Sequence, residues 1–273
     1  MAIDVNLLER AYFYFDKPVQ YKIDNEHTIE ISPVSLLDYE VFTSSIDVLQ
    51  IDKNSLNSVE IIQMKYLDFL FRILLAADES NLLLDKMINL MRLCLGWTQW
   101  MPMVDEKKKS SLLNTETGCV ISGKQFEDIR RIILYQNILS YDDSYIDPDL
   151  KKSMAEMDRL KALNIEAPSL ERKIAIITAH CGLSKSEQLK MTIRSHQLLF
   201  NECCGEVEFS TTRPIALYAG KSKEIEHWIY KRKKDKFDGY ITSVESYNKS
   251  MGGDGSVKSA SSDMISQINN ISK

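Results

Sequence analysis

The chain has 273 residues, of which 44% are hydrophobic and 27% are charged, a composition that predicts a soluble globular protein with a sizeable core. The formal net charge of −5 argues against a general nucleic-acid binder, because contacts to phosphate normally require a basic surplus. The richest apolar stretch, residues 59–75, includes four charged side chains, so we expect neither a transmembrane span nor a membrane partner.

Cysteine usage indicates the compartment in which the chain folds. Five cysteines are scattered along the sequence: Cys94, Cys119, Cys181, Cys203 and Cys204. Their number is odd, and no segment has the basic, apolar and small-residue layout of a signal peptide. The sequence therefore predicts free thiols in a reducing, cytoplasmic compartment.

The first 34 residues predict extended structure. The stretches VQYKI and TIEIS alternate apolar with polar side chains, and DNEH between them has the composition of a turn. We therefore expect a small N-terminal β-hairpin that ends before Pro33. From Ser35 the apolar period becomes helical, and residues 47–55 then predict a loop.

Two apolar helices are predicted next. The stretch VEIIQMKYLDFLFRILLAA, residues 59–77, is apolar around most of its circumference and predicts one long helix buried on more than one side. A second helix covers about residues 81–95 and ends at Gly96. Residues 97–123 lose the helical period and predict two short strands around a lysine-bearing excursion.

The second half of the chain has a helical pattern. A helix resumes at Lys124, and proline at position 148 predicts the start of another, because proline is favoured at the first helical position. After Pro168 the pattern predicts two helices separated at Gly182. A capping box formed by Ser184 and Glu187 opens the second of them. The stretches PIALYAG and EIEHWIYKRK predict one or two further helices.

These elements predict a mainly helical α+β fold, with helical bundle lobes, a small N-terminal β-hairpin and a central β-hairpin. The expected organisation is an N-terminal β-hairpin plus helical lobe at 1–96, the central hairpin or loop at 97–123, and a C-terminal helical lobe at 124–249. Residues 250–273 are rich in glycine and serine and predict a flexible tail.

An acidic run between two predicted helices raises the question of a metal site. Its carboxylates are Asp142, Asp143, Asp147 and Asp149. A calcium loop that began at Asp143 would need an oxygen ligand at its third position and glycine at its sixth, where the chain has Tyr145 and Pro148. The run is therefore interpreted as a solvated joint between helices.

Signatures of zinc binding and catalysis are also missing from the sequence. His180 and Cys181 are adjacent, as are Cys203 and Cys204, and adjacent side chains diverge on a helix. There is no G-x-S-x-G elbow, Walker loop or G-x-G-x-x-G stretch. We therefore expect no metal, no cofactor, no catalytic residues and no enzymatic activity.

A helix-turn-helix is the main alternative for residues 174–200. The second predicted helix of this segment carries Lys190, Arg194 and His196, which could face a DNA groove. Any helical hairpin with a glycine joint has the same pattern, and the chain is acidic. Nucleic acid is therefore not the expected partner.

A basic run near the C-terminus predicts a contact surface for an acidic partner. It combines aromatic side chains with lysine and arginine, the residue types that dominate interfaces. The predicted contributors are Trp228, Tyr230, Lys231, Arg232, Lys233, Lys234 and Phe237. The alternative is a solvated helix face with Trp228 in the core.

Five segments of the sequence together carry a resemblance to a known group of proteins. They are KIDNEHTIEISPVSLLDYEVF, VEIIQMKYLDFLF, FEDIRRIILYQNILSYDDSYIDPDL, KMTIRSHQLLF and IEHWIYKRKKDKFDGYITSVESY. The chain resembles, over roughly residues 12–249, tail assembly chaperone-like and structural-region proteins of tailed bacteriophages of Gram-positive bacteria. The resemblance implies a non-enzymatic protein of the host cytoplasm that binds tape measure or tail tube subunits during tail building. The alternatives are a permanent tail or baseplate component of the virion and, third, a DNA-binding or regulatory protein.

Overall fold

The computed structural model describes residues 15–220, except residues 57, 75, 77, 79, 107, 143, 145, 164 and 165, together with residues 229, 230 and 240. The described chain is mainly helical, with a two-stranded sheet near the N-terminus and a three-stranded sheet in the centre. The predicted fold class is therefore confirmed.

Contacts between residues divide the chain into two compact units. The first lies within Met1–Pro148 and Ala167–Ser222, and the second within Asp149–Glu166 and Lys223–Lys273. The predicted division at residues 97–123 does not coincide with these units. The core of the first unit contains buried side chains from both sides of that segment, which explains the difference.

The N-terminal hairpin has the predicted strands. β1 (Val19–Lys22) pairs antiparallel with β2 (Thr28–Ile31). In the connecting turn, Oδ1 of Asp24 accepts hydrogen bonds from the backbone N–H groups of Glu26 and His27, both at 2.7 Å. This local bond pattern is the reason that aspartate favours such turns.

The segment after β2 becomes helical in two steps. A 3₁₀ turn (Leu36–Asp38) leads into α1 (Tyr39–Ser45), as the pattern predicts. α2 (Asp47–Gln50) occupies the segment that the sequence predicts as a loop. Its side chains Val48 and Leu49 are completely buried, so the prediction of a loop is wrong.

Long-range contacts hold α2 in place. The Tyr66 hydroxyl donates to the carbonyl of Val48 at 2.6 Å, and Nε of Arg130 donates to the carbonyl of Leu49 at 2.6 Å. The Arg130 guanidinium also lies 4.0 Å from the centre of the Tyr66 ring. Burial raises the pKa of Tyr66 to about 12, so its hydroxyl stays protonated and keeps its donor.

The single helix predicted over residues 59–77 is broken, so that prediction is wrong. α3 (Val59–Gln63) ends at Met64, whose ψ of 144° is extended. α4 (Tyr66–Phe69) then continues into a π-helical turn (Leu70–Leu74).

Polar side chains from elsewhere in the chain explain this break. Lys53, which opens a 3₁₀ turn (Lys53–Leu56), donates through Nζ to the carbonyl of Met64 at 2.5 Å. Oε1 of Glu127 accepts from the backbone N–H of Tyr66 at 2.8 Å. These bonds satisfy backbone groups that a continuous helix would pair internally, so tertiary contacts outweigh helix propensity.

The next helix confirms its prediction. α5 (Leu82–Leu95) ends at Gly96, which has a φ of +66°. A left-handed residue at this position suits glycine, because glycine has no Cβ to clash with the preceding turn. The buried face of α5 contains Met87, Leu90, Met91 and Cys94.

The central β element has one strand more than predicted. β3 (Trp100–Val104), β4 (Ser110–Asn114) and β5 (Val120–Ser122) form an antiparallel sheet in that order. β3 is an edge strand, which is where a sheet tolerates a residue without an N–H, such as Pro102. Alternate residues of the middle strand are buried: Ser110, Leu112 and Asn114.

β5 leads directly into the central helix of the first unit. α6 (Gly123–Asn137) begins with a capping box between Ser122 and Gln125. Its buried apolar face packs in the main core and contains Phe126, Ile129, Ile132 and Ile133. The predicted return to helix at Lys124 is confirmed.

α7 (Pro148–Ala162) starts at the proline that predicts it, and none of its described side chains is buried. Nearly all of it belongs to the second unit. Within that unit the Tyr240 hydroxyl donates to Asp158 at 2.6 Å, and the Lys161 ammonium lies 4.7 Å from the Tyr240 ring centre.

Three helices complete the first unit: α8 (Leu170–Cys181), α9 (Lys185–Lys190) and α10 (Ile193–Tyr218). The separation at Gly182 and the capping box at the start of α9 are confirmed. The helix predicted from Ser184 onward is interrupted at Met191, and α10 then runs through the stretch predicted as a separate helix. No helix of the described part of the chain is long and apolar enough to cross a membrane.

The role of Lys53 can be tested by replacement with methionine. The Lys53→Met variant keeps the apolar stem but loses the bond to the carbonyl of Met64. We expect the free energy of unfolding to fall by about 1–2 kcal/mol in urea titrations. Lys124→Met, at an exposed position of α6, is the matched control and should change stability by less than about 0.5 kcal/mol. Equal effects of the two substitutions would contradict this explanation of the break.

Candidate functional site

The predicted basic contact surface lies almost entirely outside the described residues. Of its seven members only Tyr230 is described, and its side chain is 79% exposed. The other six lie outside the described residues: Trp228, Lys231, Arg232, Lys233, Lys234 and Phe237. The assignment of this surface to a partner therefore stays a prediction.

A groove of about 390 Å³ lies between α1, the residues after α6 and the first half of α10. We call it the α1–α10 groove. Its apolar floor contains Phe42, Ile46 and Ile193, all less than a tenth exposed. Its remaining lining residues are Tyr39, Thr43, Asn137, Ile138, Leu139, Ser140, Gln197 and Asn201.

Backbone pairing fixes the walls of this groove. The N–H of Leu36 donates to the carbonyl of Met191 at 2.8 Å, and the N–H of Ile193 donates to the carbonyl of Val34 at 2.9 Å. Oδ1 of the buried Asn137 accepts from the N–H of Val34 at 2.7 Å, which ties α6 to the same strand-like segment. The groove is therefore built by residues far apart in sequence.

The polar groups at the groove are amides and hydroxyls. Nε2 of Gln197 donates to Oδ1 of Asn201 at 2.8 Å, and Nζ of Lys173 donates to Oε1 of Gln197 at 3.1 Å. Among the described residues that line the groove there is no carboxylate, histidine, cysteine or lysine. This lining suits apolar side chains flanked by hydrogen-bonding groups.

The second half of α10 presents an apolar surface to solvent. Val207, Pro214, Ile215 and Tyr218 lie within an arc of roughly 100° on this helix, and we call them the α10 stripe. Val207 is 40% exposed, Ile215 is 68% exposed and Tyr218 is 94% exposed. The sequence pattern does not predict the stripe, because the stretch PIALYAG predicts a separate helix rather than the continuation of α10.

Packing of two basic side chains against the protein interior argues against the helix-turn-helix alternative. Nη1 of Arg194 donates to the carbonyl of Tyr135 at 3.0 Å, and His196 is only 2% exposed. Lys190 is exposed. Two of the three basic side chains that would face DNA are thus directed into the protein.

His196 belongs to a buried polar contact between helices. Its Nε2 lies 3.2 Å from Oε1 of Gln188, whose Nε2 donates to the carbonyl of Ile174 and the hydroxyl of Thr178. Because the Gln188 oxygen is an acceptor, we infer that Nε2 of His196 carries the hydrogen. Burial, assisted by the charge of Lys173, lowers the pKa of His196.

Asp142 and Asp147 of the acidic run lie between α6 and α7, and Asp149 lies in the first turn of α7, as predicted for a joint between helices. Oδ1 of Asp142 accepts from the N–H of Ser144 at 2.8 Å, and Asp143 lies outside the described residues. Within the part of the chain that the structure describes, no group of three or more histidine, cysteine, aspartate or glutamate side chains could hold a metal ion.

The lowered pKa of His196 predicts a pH effect on stability. The unfolded chain binds the proton more readily than the folded chain as pH falls through 6.5, the ordinary value for histidine. The stability that neutral His196 contributes is therefore present above this pH and lost below it. We expect the difference in unfolding free energy between the wild type and His196→Gln to shrink between about pH 7.5 and about pH 5.5.

The exposed His180 on α8 provides the control for this experiment, and we expect His180→Gln to change the free energy of unfolding by less than about 0.5 kcal/mol. A constant difference for His196→Gln over the same range would contradict the assignment of a buried neutral imidazole.

Comparisons with known proteins do not place the chain in a family. No protein-family model matches it, no curated protein matches it, and no solved structure matches it.

Proposed function

We propose that this protein is a non-enzymatic bacteriophage tail assembly factor, a chaperone or scaffold that binds tape measure or tail tube subunits. It acts in the cytoplasm of the infected host cell. The observation that carries the proposal is the α10 stripe, an apolar helix surface left open to solvent at the end of the first unit.

Exposed apolar surface of this kind supports a role in protein binding. Large contiguous apolar patches on soluble proteins mark interaction sites, and aromatic side chains contribute strongly to binding. The stripe ends in the almost fully exposed Tyr218, and the α1–α10 groove lies beside the first half of the same helix. One helix thus offers two surfaces to a partner.

The sequence resemblance supplies the identity of the partner. The five segments that resemble phage tail assembly proteins include the first turns of α10, which occur in KMTIRSHQLLF. They are packing patterns without catalytic signatures. The amide and hydroxyl lining of the groove agrees with a binding role, because such groups can form hydrogen bonds with a partner around an apolar floor.

A permanent place in the tail or baseplate is the alternative, because an apolar helix surface would serve a lasting subunit contact equally well. The two roles differ in whether the protein stays in the finished particle. Binding through α10 is common to both, so it is tested first.

The α10 stripe can be tested by adding charge to it. A tagged chain recovered from infected cells should carry tape measure or tail tube protein with it. We expect the double variant Val207→Glu/Tyr218→Glu to recover at least about tenfold less of these subunits, because each glutamate must be desolvated in an apolar contact.

The matched control adds the same charges to another side of the same helix end. Thr212→Glu/Ala216→Glu places them on α10 roughly 120° or more away from the two substituted stripe positions, at one exposed and one half-buried residue. This variant should bind like the wild type. Equal binding by both double variants, or no tail protein in any sample, would contradict the proposal.

A further inference from the structure

Two cysteines of the first unit face each other across a helix pair. Cys181 is the last residue of α8, and Cys203 lies on α10. Their sulfur atoms are 3.6 Å apart, and both are free thiols. Cys181 is exposed and Cys203 is buried. No other role described for this protein uses either thiol.

The packing of the two helices explains this geometry. Cys203 belongs to a small apolar cluster with Ile177 of α8 and Phe200 of α10. Gly182 ends α8 directly after Cys181 with a φ of +70°, which leaves the Cys181 side chain at an exposed helix end. The neighbouring Cys204 points roughly 100° away from Cys203 around α10 and is exposed.

We propose that Cys181 and Cys203 are an oxidation site, at which a small-molecule disulfide of the glutathione type converts the two thiols into an intrachain disulfide that staples α8 to α10. The proposal does not depend on the tail assembly role. A disulfide requires its two sulfur atoms to be about 2.0 Å apart. The side chain of Cys181, at the exposed end of α8, can move toward Cys203 by the remaining distance.

The reaction proceeds by two exchanges. The Cys181 thiol releases its proton to solvent, and its sulfur attacks one sulfur of oxidised glutathione. A mixed disulfide forms and one glutathione thiolate leaves. Cys203 then releases its proton and attacks Sγ of Cys181, which expels the second glutathione. Two protein thiols are oxidised, one oxidised glutathione is reduced to two thiols, and the released protons are taken up by the leaving thiolates.

The burial of Cys203 determines the order of these two exchanges. It raises the pKa of the Cys203 thiol to about 11, and the contact with Cys181 acts in the same direction. Cys203 therefore remains protonated near neutral pH, and the exposed Cys181 makes the first attack. Cys203 reacts second, when the target sulfur is already beside it.

Oxidation should stabilise the first unit. The bond closes a loop over residues 181–203, and such a cross-link reduces the conformational freedom of the unfolded chain. We expect the melting temperature of the oxidised protein to exceed that of the reduced protein by roughly 5 °C or more.

The test uses the full chain with oxidised glutathione as the probe. Intact mass should fall by two hydrogen atoms, and a non-reducing tryptic digest should link the peptides 174–185 and 195–221. The second peptide contains both Cys203 and Cys204, so the Cys204→Ser variant assigns the bond. The Cys204→Ser variant should form the same cross-link as the wild type. The Cys203→Ala variant should form only the mixed disulfide between glutathione and Cys181. The Cys181→Ser variant should form no cross-link between the two peptides.

The wild-type digest and the exposed Cys204→Ser variant keep the test valid if Cys203→Ala does not fold. Loss of the link in Cys204→Ser, mixed disulfides without a link in the wild type, absence of any reaction, or an unchanged melting temperature after cross-linking would each overturn the proposal.

Discussion

A short antiparallel contact between residues 34–36 and residues 191–193 determines the arrangement of the first unit. Two backbone hydrogen bonds join these segments, and Ser35 pairs with Thr192 as an isolated bridge. The side chain of Asn137 accepts from the same segment, which brings α6 into the contact. The start of α10 is thereby fixed against the core built by the N-terminal hairpin and α6.

The two candidate surfaces follow from this contact. The first half of α10 packs near α1 and the residues after α6, and the gap between them is the α1–α10 groove. A helix of 26 residues is about 39 Å long, so its second half continues beyond the packed region. The same constraint that builds the groove leaves the second half of α10, with the α10 stripe, exposed to solvent.

Several buried or half-buried polar groups in this unit hold irregular backbone in place. Lys53 and Glu127 satisfy the break between α3 and α4, and Asp68 accepts from the N–H of Ser110 at 2.5 Å to join α4 to β4. Gln188 serves the junction of α8, α9 and α10 in the same way. Each group stabilises a local departure from regular structure, because an unpaired buried backbone group would be costly.

The sequence predicts those features that depend on neighbouring residues and does not predict those that depend on residues distant in the chain. Gly96, Gly182 and the Ser184 capping box act through neighbouring residues, so their positions predict helix ends correctly. α2 and the break at Met64 depend on contacts with residues distant in sequence, which no local pattern contains. The groove combines three separate segments and was missed for the same reason. The predicted basic surface lies mostly outside the described residues and stays a prediction.

The central claim is that the protein assists tail building and leaves before the particle is complete. Quantitative mass spectrometry of purified virions and of the matching infected-cell lysate tests it most directly. The account predicts abundant peptides of this chain in the lysate, together with tail proteins, and none at stoichiometric level in the particles. A fixed number of copies in every purified virion would contradict it and identify a permanent tail component instead.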